Sequence, residues 1–399
     1  MTNIADFRRS HRASALNLSE IAHVSDAAEA LRAAGKPVLT FGTGEPDFPT
    51  PDHVIEAAHQ AALRGDTRYT STQGTPALRQ AVADQAGFAT DPAEVLISTG
   101  AKQVLSNALL ATVDPGDEVI VPAPYWTSYS DIIDFCEATL VSVPCPASSG
   151  FLLTPEALEM AITDKTRWLM LNSPGNPSGV MYSADQLRAL ADVLRRYPHV
   201  WILADEIYQH IAYVPFTSFR NAAPDLADRT LIVNGVSKAY AMTGWRIGWG
   251  IGPVPLIKAM TAIQGQSTSG ACSIAQAASV AALTGPQDHL ETRSTEFRAR
   301  RDLVVHGLNA IDGLICPEPS GAFYVFPSCS GVFGQVTPQG KTIETDADYC
   351  SYLLDEALVA LVPGRAFGLP GYFRLSYAYS KAELREGLRR IAAATAELK

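Results

Sequence analysis

Between residues 95 and 233, short and almost unbroken apolar runs alternate with longer amphipathic stretches. The runs cover residues 95–97, 118–121, 168–171, 200–204 and 231–233. A run apolar on successive residues suits a strand covered on both faces, and the alternation suits βα units. The expected fold is therefore α/β, a large mainly parallel sheet with helices on both faces. Each run ends in polar, glycine-rich or proline-rich residues: Ser98-Thr99-Gly100, Pro124-Tyr125-Trp126, Asn172 to Pro177, Asp205-Glu206-Ile207-Tyr208, and Asn234 to Lys238. In open α/β sheets, ligands bind at these carboxyl ends of strands.

The flanks have another texture. Residues 1–50 hold an arm, one amphipathic helix pattern, an apolar run at 38–41 and the turn Gly42-Thr43-Gly44-Glu45-Pro46. Residues 300–399 mix helix patterns with strand-like runs at 322–326 and 373–377. We expect a large ligand-binding domain over 51–299 and a smaller α+β domain assembled from 1–50 and 300–399.

Charge narrows the function classes. The 399 residues carry a formal net charge of −10 with 18% charged side chains, against ~25% in an average soluble protein. An acidic chain without a long basic run is a poor partner for nucleic acid or anionic membranes. No apolar stretch approaches the ~20 residues of a membrane span. The six cysteines are scattered without a C-x-x-C pair, and the eight histidines show no metal-ligand spacing, so no metal is expected. Arg8, Arg9 and Arg12 near the start precede no apolar segment. They read as a solvated arm, with an organellar presequence as the other reading, and the cytoplasm is the expected compartment. The sequence has no H-E-x-x-H, no G-x-S-x-G and no Walker-type phosphate loop.

Of the eight lysines, Lys238 stands apart, a few residues beyond a buried strand among Val236, Ala239, Tyr240, Ala241 and Met242. An amine in such surroundings loses hydration, which lowers its pKa and makes it a nucleophile toward aldehydes. A lysine snorkelling from a loop would look the same in isolation. Other residues extend the pattern. Arg246 stands between Gly244 and Gly248, suited to clamp a phosphate. Gly100, Ala101 and Lys102 open a helix whose N–H groups form an anion seat. Asp205 ends the most buried-looking strand, where a carboxylate needs a partner such as a protonated ring nitrogen. Tyr208 reaches the same space, Trp126 offers a flat face and Asn176 a hydrogen bond.

The stretch from Ser237-Lys238 through Met242-Thr243-Gly244-Trp245-Arg246-Ile247-Gly248 resembles the cofactor-lysine signature of class I pyridoxal-phosphate aminotransferases, above all their prokaryotic aspartate aminotransferase subgroup. Gly44-Glu45-Pro46-Asp47-Phe48, Tyr69, Pro124-Tyr125-Trp126, Asn176-Pro177, Asp205-Glu206-Ile207-Tyr208 and Phe373-Arg374 carry the resemblance over nearly the whole chain. It implies a fold type I enzyme with pyridoxal 5′-phosphate, working by a ping-pong transamination. Lys238 would form the internal Schiff base and shuttle the α-proton. Asp205 would keep the pyridine nitrogen protonated, and Tyr208 and Asn176 would bond the phenolate oxygen. Trp126 would stack on the ring. Gly100, Ala101, Ser237 and Arg246 would hold the phosphate, joined by Tyr69 from the other subunit of a homodimer with shared active sites. Arg374 and the Gly44 N–H would grip the substrate α-carboxylate.

The resemblance also implies that Lys102 binds the distal carboxylate of aspartate or glutamate, with a 2-oxo acid as the second substrate. A first-turn lysine facing solvent is the alternative. Where the subgroup has a Ser-Ala-Thr segment, this chain reads Ser19-Glu20-Ile21. Glu20 turned inward would compete for Lys102; turned outward, it would change little. Aromatic amino acids or prephenate thus stay open as substrates, as does a β-lyase on the same scaffold.

Overall fold

The computed structural model describes residues 8–16 and 20–399; Ser19 lies outside them, as do 1–7 of the expected arm. Its centre is a seven-stranded sheet. In spatial order the strands are Val95–Ser98, Gly248–Ile251, Thr230–Gly235, Trp201–Asp205, Thr166–Asn172, Glu118–Ala123 and Thr139–Pro144. All neighbours pair in parallel except Gly248–Ile251, which is antiparallel to both of its partners.

The strand residues alternate between two cores. Trp168, Met170, Leu203 and Leu231 face one, with Val104 and Leu105 of the helix Ala101–Leu110 and Met260 of Val254–Ser267. Leu169, Leu171, Ile202 and Ile232 face the other, with Leu187 and Leu190 of Ala184–Arg195 and Ala275 and Ala278 of Ser273–Thr284. Because side chains alternate sides along a strand, covering both faces makes nearly every residue apolar.

Two strands of this sheet escape the sequence reading. Gly248–Ile251 alternates glycine with Trp249 and Ile251 and so shows no apolar run. Thr139–Pro144 lies at the sheet edge and is only partly buried. The strand-like run at 322–326 is strand only at Tyr324–Val325.

Segments from both flanks of the sequence meet in a third core. Leu39–Thr40 pairs in parallel with Val359–Ala360. Val362–Pro363, Phe373–Ser376 and Tyr324–Val325 form an antiparallel sheet. Phe41, Phe297, Tyr324, Leu353, Phe373 and Ile391 pack together there, and Ile207 and Tyr208 from just beyond Asp205 join them. The helix Asp288–Asn309 runs unbroken along this unit. Among the described residues no helix is long and apolar enough to cross a membrane, and no group of residues could hold a metal ion.

Candidate active site

A cavity of about 280 Å³ opens at the carboxyl ends of the central strands, where the sheet meets the core that contains Tyr208 and Tyr324. Its walls include Gly44, Ala101, Lys102, Trp126, Asn176, Asp205, Tyr208, Ser237, Lys238, Arg246 and Arg374. The fold therefore brings together residues that lie as much as 353 positions apart in the sequence, the separation of Ile21 and Arg374 (374 − 21).

One wall is an anion seat. The helix Ala101–Leu110 starts at Gly100 with no side-chain cap and no acidic residue in its first turn. Its first N–H groups and its dipole therefore face an open position. The antiparallel strand abuts this start: a Cβ on Gly248 would lie 2.2 Å from the Ala101 nitrogen. A Cβ on Gly100, at φ +83°, would lie 2.5 Å from Arg246 Nη2. Arg246 itself holds a left-handed φ of 58°. An arginine there is unusual, and such strain concentrates at functional sites. Its Nη1 donates to the Thr243 carbonyl at 2.7 Å.

Opposite charges face each other across the floor. Asp205 is buried; its Oδ2 accepts from the Tyr129 hydroxyl at 2.7 Å and its Oδ1 from the Ile207 N–H at 3.2 Å. Burial pushes this carboxyl up to about 6, with the two hydrogen bonds and Lys238 opposing. Lys238 keeps part of its surface open to the cavity, yet protein surrounds its amine, which donates to the Gly44 carbonyl at 2.7 Å. Burial lowers the amine to about 8, helped by Arg374 and Arg246 and opposed by Glu45 and Asp205. Trp126 stands beside Tyr129, ring centroids 5.5 Å apart and nearly perpendicular.

Arg374 lies at the far end, 1% exposed. Nη1 donates to Asn176 Oδ1 at 2.8 Å and Nη2 to the Gly42 carbonyl, while the guanidinium packs over the Tyr324 and Phe367 rings. Nε is buried without a partner, and among the described residues no carboxylate pairs with this cation. Tyr208 shares a hydrogen bond of 2.9 Å with the hydroxyl of Tyr324. The Asn176–Pro177 bond is cis.

Lys102 sits over the Trp126 ring, 4.9 Å from its centroid. Burial lowers its pKa, as does Arg246, with Asp131 opposing. Glu20 turns outward and pairs with Arg365, whose Nε donates to it at 2.8 Å, so it does not compete for Lys102. Ile21 lines the cavity. Tyr69 does not; it is 97% exposed on the surface of this chain.

Sequence reasoning missed Tyr129 and Tyr324, because both resemble ordinary core aromatics. The available signal for Tyr129 was its position three residues after Trp126, within reach of the same face.

The sequence matches the family described as aminotransferase class I and II over residues 36–391. It is 57% identical over 396 residues to an aspartate aminotransferase of Rhizobium meliloti, covering 98% of this chain and 97% of that one. It is 50% identical over 386 residues to an aspartate/prephenate aminotransferase of Cereibacter sphaeroides, covering 95% and 96%. The crystal structure of the Rhizobium meliloti aspartate aminotransferase superposes with a TM-score of 0.96 at 56% identity, covering 98% of this chain and all (100%) of that one.

Proposed function

The chain is a transaminase of the class I and II aminotransferases, and from that premise we propose that it moves the amino group of aspartate or glutamate to a 2-oxo acid with pyridoxal 5′-phosphate as cofactor. One observation carries the reading: a single cavity puts a buried acid, a poorly hydrated amine, an uncapped helix start and an unpaired buried guanidinium on its walls.

The residues fit the cofactor. The Gly100 and Gly248 cradle leaves no room for a Cβ, as a phosphate lying close to backbone requires. Asp205 suits a protonated ring nitrogen and Trp126 a ring face. When bound, pyridoxal phosphate supplies the aldehyde that takes up the amino group and the ring that withdraws electrons from the substrate α-carbon. The chain does the rest. Gly100, Ala101, Ser237 and Arg246 hold the phosphate. Lys238 takes a proton from the substrate α-carbon at Nζ and returns it, which an amine titrating at about 8 can do near neutral pH. Tyr208 and Asn176 hydrogen-bond the ring oxygen. Arg374 binds the α-carboxylate beside Gly44, and Lys102 the distal one.

A second substrate class has a specific observation behind it. Ile21 gives the cavity an apolar wall and Glu20 points away, which favours aromatic or prephenate-like partners alongside the dicarboxylates. Five of the six cysteines are buried and all are unpaired, which supports the reducing cytoplasm. The outward Tyr69 supports a homodimer that lends this side chain to the neighbouring site.

A half-reaction panel tests the reading. Aspartate, glutamate, phenylalanine, tyrosine and alanine are mixed singly with cofactor-loaded enzyme, and conversion of the cofactor to its amine form is followed by absorbance. The acidic pair should convert fastest, and Lys238→Ala should convert none. Undiminished turnover by Lys238→Ala would overturn the proposal.

A further inference from the structure

Tyr129 takes no part in the roles assigned above, yet its hydroxyl makes the shortest hydrogen bond that Asp205 receives, 2.7 Å against 3.2 Å from Ile207. The side chain is 2% exposed and lines the cavity with Asp205. An ionised carboxylate has about four acceptor positions. Tyr129 and the Ile207 N–H fill one on each oxygen, which fixes the rotation of the group and leaves the others for the cavity. The phenol cannot switch roles, because burial and the Asp205 charge hold its pKa well above the usual 10, and it remains a donor. Its ring also meets Trp126 edge-on, 5.5 Å away at 81°. Trp126 lies two residues before the start of the short helix Ser128–Phe135 that carries Tyr129.

We propose that Tyr129 is a positioning residue acting through Asp205: its hydroxyl keeps the carboxylate oriented and ionised for a protonated ring nitrogen, while its ring braces Trp126 against the face of the same heterocycle. The inference rests on the cofactor assignment above and adds to it the group that sets the state of the acid.

The test is cofactor affinity against pH, with pyridoxal phosphate titrated into cofactor-free enzyme. Wild type should bind less tightly as pH falls through about 6, where Asp205 takes up a proton. Tyr129→Phe keeps the ring but removes a hydrogen bond to a charged acceptor, worth about ten-fold or more in an equilibrium. Its midpoint should move up by about one pH unit. The variant then binds about five-fold more weakly than wild type at pH 6 and almost equally at pH 8. The other titratable groups facing Asp205 are Glu206 and Tyr208 beyond its own strand and Lys238 from the next loop; burial sets Glu206 and Lys238 each near 8. They are common to both proteins, as is the phosphate, and cancel in the ratio.

A loss equal at both pH values, or no loss, would overturn the role. A double-mutant cycle gives an independent readout: in the Asp205→Asn background, adding Tyr129→Phe should leave affinity and its pH dependence unchanged. An additive loss there would also overturn it. Wild-type enzyme that takes up no pyridoxal phosphate would instead sink the cofactor assignment itself, and this inference with it.

Discussion

At the scale of single residues, the cavity is a set of groups that would be costly without a ligand. Arg374 is buried with Nε unpartnered and no carboxylate beside it, an arrangement that an incoming carboxylate satisfies. A lysine in its place would lose the planar fork. Arg374→Lys should therefore cut kcat/KM about ten- to hundred-fold for every amino acid tested, the worth of one charge-assisted hydrogen bond. A steady-state panel showing loss for aspartate alone would contradict that assignment. Lys238 yields a pH prediction. Burial lowers its amine to about 8, and only the unprotonated form attacks an aldehyde. Uptake of pyridoxal phosphate by cofactor-free enzyme should thus accelerate from pH 7 to a plateau above about 8 to 9. A stopped-flow rate still climbing steeply at pH 10 would mean an ordinary, hydrated lysine.

At the scale of elements, the seat depends on an antiparallel strand lying against a helix start. Gly248→Ala places a Cβ 2.2 Å from the Ala101 nitrogen, so backbone must move. Overpacking of this kind costs about 1–3 kcal/mol, and cofactor affinity should fall about five-fold or more by titration. Gly244→Ala, whose Cβ would meet nothing within 4 Å, is the control and should bind normally. This strand also marks the limit of what the sequence makes legible. The five strands with apolar runs announce themselves because both faces are covered, and the residues after them include most of the cavity wall. Gly248–Ile251 was hidden because its glycines are chosen for close approach rather than for burial. Tyr129 was hidden for a different reason: its ring packs as any core ring does, and only the hydroxyl, aimed at a residue 76 positions away, carries a function. Pairing across such distances leaves no local pattern to read. The direction of Glu20 was likewise decided by Arg365, 345 positions away.

At the scale of the whole molecule, Ile21 and Gly44 from one flank of the sequence and Tyr324 and Arg374 from the other complete the cavity wall, and Tyr69 faces outward, 97% exposed. If this side chain serves a neighbouring copy, two crippled chains should repair one another. Lys238→Ala and Tyr69→Ala homodimers should each be weak, whereas refolding them together should create hybrids with one intact site and about half the wild-type activity per hybrid. Hybrids no more active than their parents would place each site within a single chain. The sheet order has a consequence for biosynthesis as well. Ser98 pairs with Gly248 across 150 positions of sequence (248 − 98), and the second wall of the anion seat arrives only with that strand. With the cofactor proposed above, a nascent polypeptide still being translated through its first half would have no place to receive the vitamin derivative, and capture would wait until the ribosome has released the strand that closes the sheet.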